Sequence, residues 1–154
     1  MYILKNALTN IKRNPVRNLL VGIVFQSFNL LPGLSAIENI ILAMNVSGVK
    51  DKDKKALAIK LLESVGLNEE KGDRGVLKLS GGEEQRVAIA RSIAYDAKVI
   101  IADEPTGNLD RETETEIMAI FKDLVKKGKC VIIVTHSNNV AKMADVVYEL
   151  KPVK

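Results

Sequence analysis

Two short segments built entirely from apolar residues constrain the fold of this chain more than any other feature. They are Val99–Ala102 and Cys130–Val134, and polar residues follow each of them. Between them, about Arg111–Lys127, apolar residues recur at helical spacing. Strands that are apolar throughout and alternate with helices are typical of a parallel sheet covered on both faces. We therefore predict an α/β fold, with a further helix before this region over about 82–95 and a last strand over 146–150.

The segment upstream of this region predicts a small helical subdomain over about 34–78. Ser35 and Glu38 have the spacing of a capping box, so a helix is expected to begin there. A second amphipathic helix follows and ends at Gly66, since glycine favours the backbone that terminates helices. Before the subdomain, the apolar run from Leu19 to Phe25 predicts a buried strand.

The first 22 residues form a basic head. The chain has 23 basic and 19 acidic residues, a net charge of +4, and the first 17 residues supply four basic and no acidic ones. The remainder is therefore neutral, with 19 of each, which argues against nucleic acid as the partner. The head also predicts an amphipathic helix that Pro15 ends at Asn14. Its apolar positions are Leu4, Ala7, Leu8 and Ile11.

Such a head has two interpretations that the residues alone leave open. A basic amphipathic helix can lie on an anionic membrane surface or dock against a partner protein. It can equally be a solvated terminal helix. The apolar runs are too short for a membrane span, the start lacks the features of a signal peptide, and the single cysteine, Cys130, favours a reducing, cytoplasmic setting.

The first motif with chemical content is Leu79–Glu83. Ser80 and Glu83 form a second capping box at the start of a helix, and Gly81 and Gly82 allow a ligand close to the backbone. Free amide N–H groups and the positive end of the helix dipole suit a terminal phosphate. A purely structural cap is the alternative interpretation of this motif taken alone.

The second motif is the pair of carboxylates that follows the strand Val99–Ala102. Parallel sheets bind ligands at the carboxyl ends of their strands, so Asp103 is placed to hold Mg²⁺ and Glu104 to orient and deprotonate a water that attacks a phosphate. Asp110 lies further along the same loop, where a role as a helix cap is as plausible as a functional one.

Two more polar residues come directly after predicted strands. His136, the single histidine, follows Cys130–Val134 and shares the sheet edge with Glu104 if the two strands are neighbours. Gln26 follows the apolar run that ends at Phe25, and its amide could contact Mg²⁺ or water. Each residue alone has an ordinary structural explanation.

Taken together, these motifs resemble the ATP-binding subunits of ABC transporters. The matching segments, in chain order, are a Q-loop at Val24–Pro32, a signature motif at Leu79–Glu83, a Walker B motif at Val99–Glu104, a D-loop at Gly107–Asp110 and a switch histidine at His136. Their residues are similar to those of the branch that exports lipoproteins, macrolides and antimicrobial peptides. The resemblance implies a partial P-loop NTPase sheet of the ABC type over 23–154, beside the small helical subdomain and the N-terminal amphipathic helix.

The resemblance also implies site roles, ligands and partners. Glu104 and His136 would be catalytic, and Asp103 with Gln26 would hold Mg²⁺. Across a head-to-tail pair of subunits, homo- or heterodimeric, the signature motif would bind the ATP of the other subunit, with Asp110 in the D-loop. The signature residues concerned are Ser80, Gly81, Gly82 and Glu83. A membrane permease is the further partner, which puts the chain in the cytoplasm at the inner face of the cell membrane.

One family motif is absent from the sequence. The phosphate-binding Walker A loop, G-x-x-x-x-G-K-[ST], belongs upstream of Gln26, and the only Gly-Lys pair of the chain, Gly128-Lys129, lacks its other residues. In its place, residues 1–22 resemble the N-terminus of the partner permease, with a fusion seam expected between about Leu19 and Val24. We therefore expect a subunit that is inactive alone and completes a nucleotide site in trans. The alternatives are a non-enzymatic module that docks a permease or partner ATPase, and a recombination remnant.

Overall fold

The computed structural model describes residues 2–4 and 20–149. The chain folds into two compact units, which we call the sheet unit (1–26 and 98–154) and the helical unit (27–97). The helical unit is wider than the predicted subdomain of 34–78 because it also contains the helix that follows Ser80.

The sheet unit is a five-stranded sheet with helices. Its strands lie in the order β2-β3-β4-β1-β5. Its elements are β1 (Tyr2–Leu4), β2 (Val21–Phe25), β3 (Val99–Asp103), α5 (Arg111–Lys126), β4 (Cys130–Val134), α6 (Asn138–Met143) and β5 (Val146–Val147). The strands β2, β3 and β4 pair in parallel, which confirms the predicted α/β fold, and β5 is shorter than the predicted last strand.

The strand β1 corrects part of the prediction for the head. It pairs antiparallel with β4 and with β5, so the sheet is mixed rather than wholly parallel. The helix predicted for the head therefore does not include Tyr2–Leu4, where pairing with distant strands outweighs the local helical pattern. The rest of that predicted helix lies outside the described residues.

Burial differs between the strands. β3 and β4 are largely buried, with Ile100, Val131 and Ile133 at most 1% exposed. In β2 the burial alternates, so that Val24 is fully buried while Ile23 is 46% exposed. The prediction of a sheet covered on both faces therefore holds for β3 and β4 and not for β2. On α5, an inward stripe is fully buried, formed by Ile117, Met118 and Phe121.

The helical unit contains four α-helices and one turn of 3₁₀ helix among its described residues. They are α1 (Ala36–Val46), α2 (Lys54–Glu63), α3 (Glu69–Gly72), the 3₁₀ turn Val76–Lys78 and α4 (Gly81–Ile93). Ser35 caps α1 with both hydrogen bonds of the predicted capping box. None of the helices in the described ranges has the length and apolar character needed to cross a bilayer.

Close packing around Gly72 yields a stability test. A Cβ atom at Gly72 would lie 2.9 Å from Leu62 Cδ1 and 3.0 Å from Ile37 Cδ1, and both side chains are buried. We expect Gly72→Ala to lower the free energy of unfolding by about 1–3 kcal/mol, because the neighbours have little room to move. Urea unfolding of the full chain measures this.

Gly75→Ala is the matched control for that variant. A Cβ atom there would have no neighbour within 4 Å, and the backbone has φ −59° and ψ 136°, which any residue adopts. Its midpoint should stay close to that of the unsubstituted chain. Equal midpoints for the two variants would contradict the packing described around Gly72.

Candidate active site

The carboxyl ends of three parallel strands bring the predicted catalytic residues to one edge of the sheet. Phe25 of β2, Asp103 of β3 and Val134 of β4 are aligned by the strand pairing. Gln26 and Glu104 are the next residues along their strands. β3 and β4 are direct neighbours, so Glu104 and His136 do share one sheet edge.

The Glu104 carboxylate is held by the segment that follows β4. Its Oε2 accepts a hydrogen bond from Thr135 Oγ1 at 2.8 Å, and its Oε1 accepts one from the His136 backbone N–H at 2.7 Å. The His136 imidazole is fully exposed, with Nε2 3.9 Å from Glu104 Oε1. The position of the carboxylate is thus set by neighbouring backbone and hydroxyl groups, while the imidazole faces solvent.

Thr135 is a site residue that the sequence did not single out. It is buried, with 7% exposure, and its hydroxyl is a direct partner of the carboxylate of Glu104. The available signal was its position, a polar side chain at the carboxyl end of an apolar strand next to the histidine.

The backbone of Glu104 is strained. Its φ is +43°, a left-handed backbone conformation that residues other than glycine rarely adopt. Such strain costs about 1–3 kcal/mol. Two backbone bonds maintain it: the Glu104 N–H donates to Val134 O at 2.8 Å, and the Gly107 N–H donates to Glu104 O at 3.1 Å. The chain therefore turns sharply away from β3 immediately after Asp103.

Gln26 packs against the loop that follows β3. Its Nε2 donates to Asn108 Oδ1 at 3.2 Å, which leaves the amide oxygen as the atom able to ligate a cation. A Cβ atom on Gly107 would lie only 2.9 Å from the same Nε2, so a side chain at this position would displace the exposed Gln26 amide. Glycine at position 107 thus leaves room for the Gln26 side chain beside the loop.

The oxygen ligands at this edge suit a single hydrated Mg²⁺ ion. Asp103 offers an exposed carboxylate, and Gln26 offers an amide oxygen at the end of the neighbouring strand. Mg²⁺ usually keeps several waters and uses one or two protein carboxylates together with substrate phosphates. No cluster of three or more His, Cys, Asp or Glu side chains suited to a metal occurs within the described part of the chain. The donor set therefore fits Mg²⁺ only as a partner of phosphate oxygens.

Asp110 is the N-cap of α5. Its Oδ1 accepts from the backbone N–H groups of Glu112 and Thr113, each at 3.0 Å, and its Oδ2 accepts from Thr113 Oγ1 at 2.7 Å. The Thr113 backbone and hydroxyl bonds are the largest causes that hold the pKa of Asp110 below its ordinary value. The capping role is thus shown in the structure, and the D-loop role stays a prediction.

In the helical unit, the residues predicted to form the signature motif begin α4. The Glu83 N–H donates to Ser80 Oγ at 3.3 Å and the Ser80 N–H donates to Glu83 Oε2 at 2.9 Å, which completes the predicted capping box. Gly81 and Gly82 form the first residues of the helix. The first turn of α4 therefore carries the arrangement that suits an anion, with a carboxylate fixed beside it.

Lys71 is a second residue that sequence reasoning missed. Its Nζ lies 2.5 Å from Glu83 Oε1, so one oxygen of Glu83 bonds Lys71 and the other bonds Ser80. The hydrogen bond from Lys71 is the largest cause, and the backbone bond of Ser80 the next, that lowers the pKa of Glu83. Burial has the opposite effect on the adjacent Glu84, whose pKa it raises.

Comparison with known proteins gives a consistent result. The family model described as ABC transporter matches residues 2–107, which includes the head as well as the motifs up to Gly107. The uncharacterized ABC transporter ATP-binding protein YclH of Bacillus subtilis is 47% identical over 141 residues, covering 91% of this chain and 62% of the relative. The macrolide export ATP-binding/permease protein MacB of Chlorobaculum tepidum is 46% identical over 136 residues, covering 88% of this chain and 21% of that protein.

Solved structures agree with the sequence comparisons. The dimeric, post-hydrolysis state of the ATP-binding cassette MJ0796 bound to ADP and Pi superposes with a TM-score of 0.72 and 38% identity, and the match covers 90% of this chain and 59% of that structure. The chain thus spans 62% or less of the length of each protein reported above.

The opposite pKa shifts of two adjacent carboxyls give a pH test. The pKa of Glu83 in the folded chain lies below its ordinary value of 4.5, so its stabilisation is complete above that value and is lost as pH falls through the lowered pKa. We expect the stability advantage of the unsubstituted chain over Glu83→Gln to shrink as the pH falls below 4.5, the ordinary pKa of the residue. Urea midpoints across this range measure the difference.

Glu84→Gln is the internal control for the pH series. Burial raises the pKa of Glu84, so its charged form is penalised at neutral pH and relieved as the pH falls. The stability of the unsubstituted chain relative to Glu84→Gln should therefore increase as the pH falls. Parallel pH trends for the two variants would contradict the assigned causes.

Proposed function

This chain belongs to the ABC transporter family as an ATP-binding subunit, and from that membership we propose that its signature helix completes a nucleotide site whose phosphate-binding loop lies on another subunit. The observation that carries the proposal is the capping box of α4, in which Ser80, Gly81 and Gly82 begin the helix. Helix N-termini of this kind bind phosphate through backbone N–H groups and the helix dipole.

We assign the sheet edge to the chemistry of hydrolysis. Glu104 would orient the attacking water and take its proton, because its carboxylate is held in place by Thr135 and by the His136 backbone. The exposed imidazole of His136 lies beside that carboxylate, where it can contact a phosphate. When bound by Asp103 and Gln26, Mg²⁺ would supply positive charge that neutralises the phosphate oxygens.

These 154 residues lack part of a nucleotide site. Their sequence contains no Walker A loop, and therefore no lysine and hydroxyl pair to hold nucleotide phosphates in cis. A pair of two such chains would have two incomplete sites. The hydrolysis of ATP, the transported substrate and the energy coupling belong to the assembled transporter.

The purified chain is expected neither to bind Mg-ATP tightly nor to hydrolyse it, because it has no Walker A backbone and lysine to hold the β- and γ-phosphates. Isothermal titration calorimetry and phosphate release measure both properties. Glu104→Gln serves as the control for trace contamination. Phosphate release that disappears in this variant would show that the chain is an active ATPase alone and would contradict the proposal.

Mixing with an intact homologous ATP-binding subunit tests completion in trans. We expect the chain to raise the ATPase rate of the mixture, and Ser80→Arg to abolish the increase, because a bulky cation replaces the cap where the phosphate approaches. Ser35→Arg is the matched control, since Ser35 closes an equivalent capping box on α1. Equal loss of activity in both variants, or none in Ser80→Arg, would disprove the role of the signature helix.

The relatives also suggest a partner and a cellular location for this chain. MacB carries both an ATP-binding and a permease function in its name, and this chain is similar to part of it. We therefore propose a membrane permease as the further partner and the inner face of the cell membrane as the location. The permease-like origin of residues 1–22 stays a prediction: residues 5–19 lie outside the described ranges, and the family match begins at residue 2.

A further inference from the structure

We infer that Glu114, on the first turns of α5, is a positioning residue that ties the loop carrying Glu104 to the loop carrying His136. The inference rests on the proposed function only for the catalytic roles of Glu104 and His136. The tie between the two loops is argued from the geometry of the sheet unit alone.

One carboxylate oxygen of Glu114 accepts hydrogen bonds from hydroxyl groups of both loops. Thr106 Oγ1, in the loop after β3, donates to Glu114 Oε2 at 3.4 Å. Ser137 Oγ, in the loop after β4, donates to the same oxygen at 3.3 Å. Each bond is longer than an ordinary O–H···O hydrogen bond and is individually weak, and together the two bonds bridge loops that are separated in sequence by α5 and β4.

The hydrogen bonds continue from Ser137 to the catalytic carboxylate. The Ser137 backbone N–H donates to Thr135 Oγ1 at 3.0 Å, and Thr135 Oγ1 donates its single proton to Glu104 Oε2 at 2.8 Å. Since each hydroxyl has one proton, this arrangement fixes the direction of every hydrogen bond in the series. These bonds therefore link Ser137 through Thr135 to Glu104 in one continuous series.

Glu114 lies on a helix, α5, that is packed firmly on the sheet. α5 is fixed on the sheet by Ile117, Met118 and Phe121, all fully buried, so the backbone that carries Glu114 has little freedom. Thr106 is only 4% exposed, and a buried hydroxyl needs a partner, which Glu114 supplies.

A simple capping role does not account for Glu114. α5 is already capped by Asp110, and α6 is capped by the Ser137 side chain, which accepts from the Val140 N–H at 3.3 Å. Neither helix therefore needs the Glu114 carboxylate as a cap. The contribution of this carboxylate is to connect the two loops.

Amide hydrogen exchange of the full chain without nucleotide tests the inference. In Glu114→Ala we expect the His136 and Ser137 amides to exchange about tenfold faster relative to the Phe121 amide, because the loop after β4 loses its tie to α5. Glu114→Gln should remain near the unsubstituted rate, since an amide oxygen still accepts both hydroxyl bonds. Thr106→Val, which leaves the charge in place and removes one donor, should give a smaller acceleration.

Glu112→Ala is the matched control, because it removes an exposed carboxylate from the same first turn of α5. Unchanged His136 and Ser137 exchange in both Glu114→Ala and Thr106→Val would overturn the inference. An equal acceleration of exchange in Glu112→Ala would also overturn the inference. So would an acceleration that the Phe121 amide shares in full, because that result indicates a general loss of stability. If Glu114→Ala does not fold, the Thr106→Val result decides. Because neither nucleotide nor a second subunit is present, this result is independent of the Ser80→Arg experiment.

Discussion

The parallel pairing of β3 with both of its neighbours is the constraint on which the candidate active site depends. The register aligns Phe25, Asp103 and Val134, so that the polar residues that follow each strand emerge at one edge. Backbone hydrogen bonds set this alignment, and a slip of one residue would reverse the face of every side chain in a strand. The observed register brings the segment after β4 close enough to donate hydrogen bonds to Glu104.

In the helical unit, helix capping rather than strand register positions the polar residues. Two capping boxes, closed by Ser35 and by Ser80, fix the starts of α1 and α4. At α4 the same carboxylate also bonds Lys71, so the charge of Glu83 is balanced close to the helix terminus. A carboxylate without such a partner would repel an anion, so Lys71 makes the start of α4 more compatible with the phosphate that we propose for it.

Much of both units was predictable because the signals are local. The apolar runs of β3 and β4 and the S-x-x-E spacing of the capping boxes each depend on residues close together in the chain. The contacts that the sequence did not predict join distant positions: Tyr2–Leu4 pairs with β4, Thr106 and Ser137 meet at Glu114, and Lys71 reaches Glu83. The four residues of α3 were also missed, since so short a helix has no full period of apolar residues.

The alternating burial of β2 has a practical consequence for handling the protein. Val21, Ile23 and Phe25 are 36%, 46% and 38% exposed on a strand that forms one edge of the sheet. Sulfate and other salts that are excluded from protein surfaces strengthen the drive to bury such side chains. We therefore expect salting-out to favour self-association through this strand, which makes low-salt buffers the better choice for purification.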